Sequence, residues 1–387
     1  MINQKIHQLH WLCLILGFAF TSNSFGQADS LNHDGRTRYF LVHLPTGYSA
    51  QNDYSLVIAM HGGLGSGPQL ETQSQLSVKA DDAKFIVVYP DGVKSPIGIR
   101  TWNAGECCGY AADNNIDDVG FIISLVDSLI NKYSIDRDRV YATGMSNGGF
   151  MSYRLACEKP DVLAAIAPVA SSMSANCQPN KWVPTIHFHS YNDNNVPFAG
   201  GRGDGLSNHY NPPLDSVMTI WADGSNCLVY SDTIRQSTDY DHFAWNHCDC
   251  YAEYELYITH DGGHSWPGGK KTAVGDPTST AISANELMWT FFQKHPKCEE
   301  TLGELPMNAS PNAFVFPNPT SDKCTIRVDG IPLDISVHDL NGRQMHHLRI
   351  KHEQNQIEFD LSEMPSGFYV IRYIENDRVK IVRLYHL

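Results

Sequence analysis

A serine in this chain lies in a setting that suits nucleophilic chemistry. Ser146 belongs to the GMSNG segment at 144–148, directly after a β-branched and aromatic run at 139–143. Apolar residues at helical spacing follow at 150–157, so the pattern predicts a strand, a sharp turn and a helix. A turn of this kind lifts a serine hydroxyl out of the sheet, and its glycines supply the missing side chains that the tight backbone requires. The segment therefore predicts a nucleophile elbow.

A serine hydroxyl needs a partner imidazole to accept its proton, and the imidazole needs a carboxylate to orient it. Asp193 follows a predicted buried strand and lies at its carboxyl end, where ligands bind in open α/β sheets. His264 follows the next predicted strand, between glycines that allow close approach to the serine. We therefore predict Asp193 as the acid and His264 as the base, with His260 at the strand end as the alternative base.

Cleavage of an acyl bond also requires two N–H donors for the developing oxyanion. The backbone N–H of Asn147, the residue after the nucleophile, is one predicted donor. The other is that of Gly63 or Leu64, in the HGGLGSG segment at 61–67. The same segment makes a poor phosphate loop, because it lacks the Gly-Lys-Ser/Thr ending.

Predicted strands and helices alternate through most of the chain, which indicates an α/β fold with a mostly parallel sheet and helices on both faces. Residues 199–250 show no clean period and are predicted to form an insertion or cap of loops held by disulfides. Asp117 or Asp118 is expected to cap the long helix. The predicted strands are 38–44, 54–60, 85–89, 139–143, 164–169, 184–189 and 251–259, and the predicted helices are 114–133, 150–157 and 284–294.

The 387 residues divide into segments of different character. A basic start, an apolar run and a small-residue cleavage site predict a signal peptide at 1–26, since the apolar run is too short to span a bilayer. The α/β domain is expected at 28–297 and a polar linker at 298–313. Short alternating strands separated by turns predict a small all-β sandwich domain at 314–387.

The formal charge of −14 limits the partners of this protein. Phosphate backbones and anionic membranes both require clustered Lys and Arg, so no nucleic acid or membrane surface is expected as a partner. We expect a neutral or weakly charged substrate, a monomer, and no cofactor.

Ten cysteines are present, and cleavage of the signal peptide leaves nine. In an exported protein this number predicts disulfides with one thiol left over. Cys107 and Cys108 are adjacent, so each is expected to reach a different partner. The cluster His242, His247, Cys248 and Cys250 matches no common zinc spacing, and no metal site is predicted.

Seven motifs, in order, resemble those of the secreted esterases of the polyhydroxybutyrate depolymerase, feruloyl esterase and acetylxylan esterase group. They cover roughly residues 35–297 and depart from the group at 188–192, where the group more often has His-Gly-Thr before the acid. The motifs are HGGLGSG, YPDG, TWNAGECCG, DDVGF, RVYATGMSNGGFMSYRLACE, the DNNVP that begins at Asp193, and GGHSWPGG.

This resemblance implies an α/β-hydrolase fold, in which nucleophile, acid and base follow one another along the chain. It implies Ser146, Asp193 and His264 as the catalytic triad. It also implies that Trp102 and Trp266 line the acyl or sugar site. The cysteines that it implies to be bridged are Cys107, Cys108, Cys157, Cys177, Cys227 and Cys250.

The tail carries a second resemblance. FPNPTSDKCTIRV, SVHDLNGRQM, LSEMPSGFYVIRY and VKIVRL resemble the C-terminal sorting domain of proteins exported by the type IX system of Bacteroidota, over residues 314–387. This implies the type IX machinery as a partner and a location outside the cell or on its surface. A carbohydrate-binding sandwich is the alternative, although no tryptophan follows Trp289 to form a sugar-stacking platform.

Together these features predict a secreted carboxylic ester hydrolase that forms an acyl-enzyme on Ser146. Its expected substrates are feruloyl or acetyl esters of plant polysaccharide. The alternative within the same chemistry is a polyester depolymerase, such as one for poly(3-hydroxybutyrate). A secreted adhesin that keeps the fold without catalysis is a distant alternative.

Overall fold

The computed structural model describes residues 26–298 and 315–386, apart from short gaps. The predicted signal peptide and most of the linker lie outside the described residues. Within the described part, no helix is both long and apolar enough to cross a bilayer. The gaps are 174–178, 180, 206–208, 226, 228, 247, 249, 251, 273–274, 317–319, 329–332, 340–343, 346–348, 354–355 and 376–377.

A ten-stranded sheet forms the centre of the first part, in the order β1-β2-β4-β3-β7-β8-β9-β14-β13-β12. The six strands from β4 to β14 run parallel, and the two strands at each edge pair antiparallel. The strands are β1 Gln27–His33, β2 Arg36–His43, β3 Tyr54–Met60, β4 Ile86–Pro90, β5 Val93–Lys94, β6 Arg100–Thr101, β7 Ile135–Met145, β8 Ala165–Val169, β9 Thr185–Ser190, β10 Gly201–Arg202, β11 Tyr210–Asn211, β12 Val229–Gln236, β13 Tyr240–Asn246 and β14 Tyr254–Thr259.

Helices cover both faces of this sheet, as the alternation predicts. Successive residues of β3 point to opposite faces: Leu56 and Ile58 pack with the helices at 118–132, 147–158 and 214–224, while Val57 packs with those at 67–74, 76–83 and 284–294. All residues of β3 are buried, because it lies between two layers of helices. The helices are α1 Gly67–Ser74, α2 Leu76–Ala83, α3 Gly109–Asp113, α4 Asp118–Lys132, α5 Asn147–Glu158, α6 Leu214–Gly224 and α7 Ala284–Lys294.

The helix predicted at 114–133 begins later than expected. Asp117 is its N-cap, since its carboxylate accepts the N–H of Gly120 at 2.9 Å. Asp118 instead receives the buried Arg38 guanidinium at 2.6 Å. The two aspartates therefore have different roles, and residues 114–117 form a turn between the short helix α3 and α4.

The prediction that residues 199–250 form a cap of loops is wrong. Helix α6 packs Val217, Met218 and Trp221 into the core. Strands β12 and β13 form a hairpin that pairs with β14 and extends the main sheet. Two register shifts interrupt the β12–β13 pairing, which explains why no regular period is visible in the sequence.

Several cysteines lie at bonding distance in pairs. Cys227 pairs with Cys248, and Cys250 pairs with Cys298. Cys157 is also bridged, while Cys177 lies outside the described residues. Among the described cysteines the unpaired thiol is that of Cys324, in the tail.

The expectation that Cys107 and Cys108 reach separate partners is wrong, because the structure pairs them with each other. The Cys108 N–H donates to the Trp102 carbonyl, and the Cys107 carbonyl accepts the N–H of Ala104. The segment is thereby folded back on itself, so both sulfurs stay at one turn.

The tail forms two antiparallel sheets, in the orders β15-β16-β19-β18 and β17-β20-β21. Side chains from both sheets, including Ile326, Phe359, Ile371 and Leu384, are buried in one apolar core. This arrangement is the predicted small β-sandwich. The strands are β15 Val315–Phe316, β16 Lys323–Arg327, β17 Leu333–Asp339, β18 Arg349–Glu353, β19 Gln356–Asp360, β20 Gly367–Glu375 and β21 Arg378–His386.

The larger part, residues 26–298, has an α/β-hydrolase fold. A mostly parallel sheet carries helices on both faces, and a serine lies at the turn between a central strand and the helix that follows it. The fold class predicted from the sequence is confirmed.

Candidate active site

Ser146 lies at the turn between β7 and α5. Its backbone has φ 53° and ψ −122°, which a residue with a side chain rarely adopts. The Ser146 N–H donates to the Val169 carbonyl at 2.9 Å, which ties the turn to the neighbouring strand β8. Backbone strain of this kind persists only where the surroundings enforce it, and here the sheet and the helix do so.

The two glycines of the GMSNG segment are required by close backbone contacts. A Cβ atom on Gly144 would overlap the Gly148 carbonyl, and one on Gly148 would overlap the Met60 carbonyl oxygen. The elbow is therefore pressed against the end of β3. Only glycine at both positions lets α5 begin directly after the serine.

Asp193 and His264 are joined by a hydrogen bond. They follow β9 and β14, which are parallel neighbours, so both side chains emerge at the same edge of the sheet. The Nδ1–H of His264 donates to the Asp193 carboxylate at 2.8 Å, since that oxygen can only accept. The Nε2 atom of the imidazole is then free to accept a proton. Ser146 and His264 line the same cavity.

The Asp193 carboxylate is buried, with 2% of its surface exposed. Its other oxygen accepts the backbone N–H groups of Asn195 and Val196, both at 2.9 Å. Burial alone would raise the pKa of Asp193, but the hydrogen bond from His264, the adjacent imidazoles and the backbone donor together hold this pKa below its ordinary value. The carboxyl group of Asp193 is thus ionised at neutral pH.

The two candidate oxyanion donors after β3 differ. The N–H of Leu64 donates to the Arg100 carbonyl at 3.0 Å, so it is already committed. Within the described residues, the N–H groups of Gly63 and Asn147 have no such acceptor. Of the two alternatives from the sequence, Gly63 is therefore the better candidate.

His61, which the sequence analysis did not single out, holds this loop in place. Its Nδ1 donates to the Gly62 carbonyl at 2.7 Å, and its Nε2 accepts the Gly92 N–H at 2.9 Å. Burial is the main reason that the pKa of His61 falls to about 4, so the ring is neutral. The signal in the sequence was its position at the end of a buried strand, directly before the glycines.

The expectation that Trp102 and Trp266 line the acyl or sugar site is corrected by the structure. Both indoles are fully buried, and neither reaches the cavity wall. The Trp102 indole N–H donates to the His61 carbonyl at 2.9 Å, and that of Trp266 donates to Asn285 at 3.0 Å. A buried indole N–H needs such a hydrogen-bond acceptor.

The Asn147 side chain has a role that the sequence did not indicate. Its amide accepts the Trp102 N–H at 2.7 Å and donates to the Trp102 carbonyl at 3.0 Å. This pair of bonds fixes the loop that carries Cys107 and Cys108 against the first turn of α5. Asp276 is a second such residue, since its carboxylate accepts the His264 backbone N–H at 2.7 Å, and no pattern in the sequence indicates it.

The cavity above Ser146 has a volume of about 930 Å³. Leu64 and Ile97 lie on its rim and are 57% and 82% exposed. Its acidic residues are Asp113, Asp204 and Asp276, and its described lining includes no Lys or Arg. The cavity therefore presents apolar surface and negative charge.

The predicted absence of a metal site concerned His242, Cys248 and their neighbours. In the described residues, no three potential ligands lie close enough together to hold an ion. His242 is hydrogen-bonded to Glu255 at 2.9 Å, and Cys248 is paired with Cys227.

The buried histidines predict how stability depends on pH. Burial holds the pKa values of His61, His187 and His189 below the ordinary value, to about 4 for His61. In the unfolded chain each titrates near 6.5, so between about pH 6.5 and 4 the unfolded state binds more protons and stability falls as pH falls. We expect stability to fall between pH 7.5 and 5.5, with about 1 kcal/mol of the loss due to His61.

Urea unfolding at these two pH values measures this loss. The variant His61→Gln should be less stable at pH 7.5 but should show a weaker dependence of stability on pH than the wild type. Equal stability of the wild-type protein at both pH values would contradict the prediction.

The chain is similar to known esterases. The family model described as "Esterase PHB depolymerase" matches residues 38–176, and the one described as "Secretion system C-terminal sorting domain" matches residues 314–385. Feruloyl esterase B of Piromyces equi is 34% identical over 170 residues, which cover 42% of this chain and 31% of that protein. The chain thus spans less than a third of the length of that relative.

Two further similarities cover more of the first part. Probable feruloyl esterase C of Aspergillus niger is 28% identical over 270 residues, which cover 67% of this chain and 85% of that protein. Among solved structures, an acetyl xylan esterase from Aspergillus awamori aligns with a TM-score of 0.47 at 16% identity, covering 69% of this chain and 99% of that one.

These matches confirm both resemblances found in the motifs. Residues 38–176 match the family model of PHB depolymerase esterases, and residues 314–385 match that of secretion system C-terminal sorting domains. The similarities support an esterase, and the sorting-domain match indicates export by the type IX route to the cell surface or the exterior.

Proposed function

We propose that this esterase works through a serine acyl-enzyme on Ser146 and that its substrates are feruloyl or acetyl esters of plant polysaccharide. The observation that carries the mechanism is the hydrogen bond between the buried Asp193 and His264, which lines the same cavity as Ser146 on its strained elbow. This is the arrangement that an activated serine requires.

Each group has a definite role in this mechanism. The Ser146 hydroxyl attacks the ester carbonyl while Nε2 of His264 takes its proton, and Asp193 stabilises the imidazolium that forms. The N–H groups of Gly63 and Asn147 donate to the oxyanion. His264 then protonates the leaving alcohol, and a water molecule activated by the same imidazole releases the acid.

The cavity supports an uncharged acyl group. Leu64, Ile97, Ile99 and Phe150 provide apolar contact, and the acidic lining repels a substrate that carries its own carboxylate. The volume of about 930 Å³ is enough for an acyl group together with part of the sugar that bears it. The named activity of the fungal relatives, feruloyl esterase, agrees with such a substrate.

A fluorophosphonate label combined with a substrate panel tests this proposal. The label should attach to Ser146, as found by peptide mapping, and Ser152→Ala should label normally, because that hydroxyl is buried in α5 and bonded to the Gly148 carbonyl. Methyl ferulate and acetylated xylan should be hydrolysed faster than polyhydroxybutyrate film. Labelling at another residue would overturn the mechanism, and preference for the film would overturn the substrate assignment.

A polyester depolymerase remains the second candidate function. The family model that matches residues 38–176 is named for polyhydroxybutyrate depolymerase, and the exposed Leu64 and Ile97 on the cavity rim suit an apolar polymer surface. The film assay decides between the two functions.

The tail is proposed to act in export and not in catalysis. It folds around its own core, so removing everything after Cys298 should leave kcat/KM for a soluble ester within about twofold. In the native host the same truncation should leave active esterase inside the outer membrane. Normal export of the truncated enzyme, with loss of binding to insoluble polysaccharide, would instead identify the tail as a binding module.

A further inference from the structure

Two buried histidines lie behind Asp193 on the same face of β9. His187 is fully buried and His189 is 2% exposed. The Nε2 atom of His189 lies 2.8 Å from the Val196 carbonyl oxygen, and its Nδ1 lies 3.3 Å from Nε2 of His187. The Nδ1 atom of His187 lies 2.7 Å from the Tyr153 hydroxyl.

The donor and the acceptor of each of these hydrogen bonds follow from the Val196 carbonyl, at which the series ends. A carbonyl oxygen can only accept, so Nε2 of His189 carries the proton and Nδ1 accepts. The Nε2 of His187 must therefore donate, and its Nδ1 must accept from Tyr153. Burial lowers the pKa of each histidine and raises that of Tyr153, so all three groups are neutral. The hydrogen-bonded side chains of His189, His187 and Tyr153 are therefore polar but uncharged.

One end of this series of hydrogen bonds contacts the turn that carries Asp193, and the other end lies on the helix that follows Ser146. Val196 accepts from His189 through its carbonyl, and its N–H donates to the Asp193 carboxylate at 2.9 Å. The Nε2 atom of His189 also lies 3.8 Å from the carboxylate oxygen that receives His264. At the other end, Tyr153 belongs to α5, the helix that begins directly after Ser146. This series of hydrogen bonds thus connects α5, which follows Ser146, to the turn that carries Asp193.

We propose that His189 is a positioning residue for Asp193. It holds the 193–196 turn at a fixed distance from α5 and keeps the carboxylate aligned with His264. This inference rests on the proposed role of Asp193 as the acid.

Two variants of His189 separate positioning from packing. In His189→Leu the volume is nearly kept but the donor to Val196 is lost, and kcat should fall by about 10²-fold with KM little changed, because a small misplacement of the acid lowers the rate of the chemical step. In His189→Gln the amide nitrogen can replace Nε2, so kcat should stay within about threefold of the wild type. A variant that merely loosens the core would not be rescued in this way.

The pH profile gives a readout that a structural role would not move. The titratable groups around His264 are Asp193, His189 and, through the backbone, Asp276. With Asp193 displaced, the protonated imidazole is less stabilised, so the acid limb of the kcat/KM profile of His189→Leu should move to lower pH. The limb of His189→Gln should stay in place.

A third variant keeps the test decisive if His189→Leu does not fold. Tyr153→Phe removes the hydroxyl at the far end of this series of hydrogen bonds and keeps the shape of the side chain. It should lower kcat by about threefold and move the acid limb of the profile to lower pH. A folded His189→Leu with wild-type kcat and pH profile, an equal loss in His189→Gln, or an unchanged Tyr153→Phe would each overturn the inference. Retention of activity in Ser146→Ala would instead overturn the proposed function.

Discussion

Replacing Ser146 with alanine lowers ester turnover by at least ~10⁴-fold in the mechanism proposed here, because no other group can form the acyl-enzyme. The backbone conformation with φ 53° is retained by the contacts of Gly144 and Gly148, and the hydroxyl contributes little packing. The variant should therefore fold with an unchanged melting temperature. Turnover of a p-nitrophenyl ester, measured on purified protein, checks the loss.

Matched variants show whether the loss arises from a cooperating unit. His264→Ala should be about as damaging, and the double variant with Ser146→Ala should cost no more than the first change alone. Ser152→Ala, one turn along α5, should keep wild-type turnover. If Ser146→Ala retains a tenth of the activity, Ser146 is not the nucleophile.

Replacing Gly148 with alanine should disrupt the elbow itself. The added Cβ would overlap the Met60 carbonyl oxygen and approach that of His61 at 2.7 Å. Both contacts are with backbone, so β3 or α5 must move as a unit, at a cost of about 3 kcal/mol or more. Because this movement shifts Ser146 and the Asn147 N–H together, kcat should fall by at least about 10²-fold in whatever protein folds.

Thermal unfolding and turnover of the purified variant measure both effects. Gly205→Ala is the control, since its Cβ would meet only Asn195, at an ordinary 3.5 Å. That variant should match the wild type in melting temperature. A Gly148→Ala protein as stable and as active as the Gly205→Ala control would show that the elbow tolerates a side chain.

The parts of the fold that were predictable are those whose burial is regular. Strand β3 and helix α7 have the predicted bounds, because one is buried on both faces and the other along one stripe. Strand β1 and the hairpin β12–β13 were missed, since edge strands alternate weakly and the hairpin contains register shifts. Pairing partners of this kind are defined by the neighbouring strand and not by a local pattern.

In the candidate site, too, some features were predictable from the sequence and others were not. Ser146, Asp193 and His264 follow strand ends, so motif and order indicated them, and their catalytic roles stay predictions. How deeply a side chain is buried was not predictable. The resemblance implied that Trp102 lines the cavity, yet its indole is fully buried and hydrogen-bonded to the His61 carbonyl. The Leu64 N–H was a candidate donor until the structure showed its bond to Arg100, a contact far away in the sequence.

The pairing of Cys250 with Cys298 lies at the point where the linker begins. Cys298 is the last described residue of the larger part, and the two cysteines are 48 positions apart in a segment that includes His264 and α7. A force applied through the linker would therefore pass from Cys298 through the bridge to Cys250, which precedes β14, and would bypass α7 and His264.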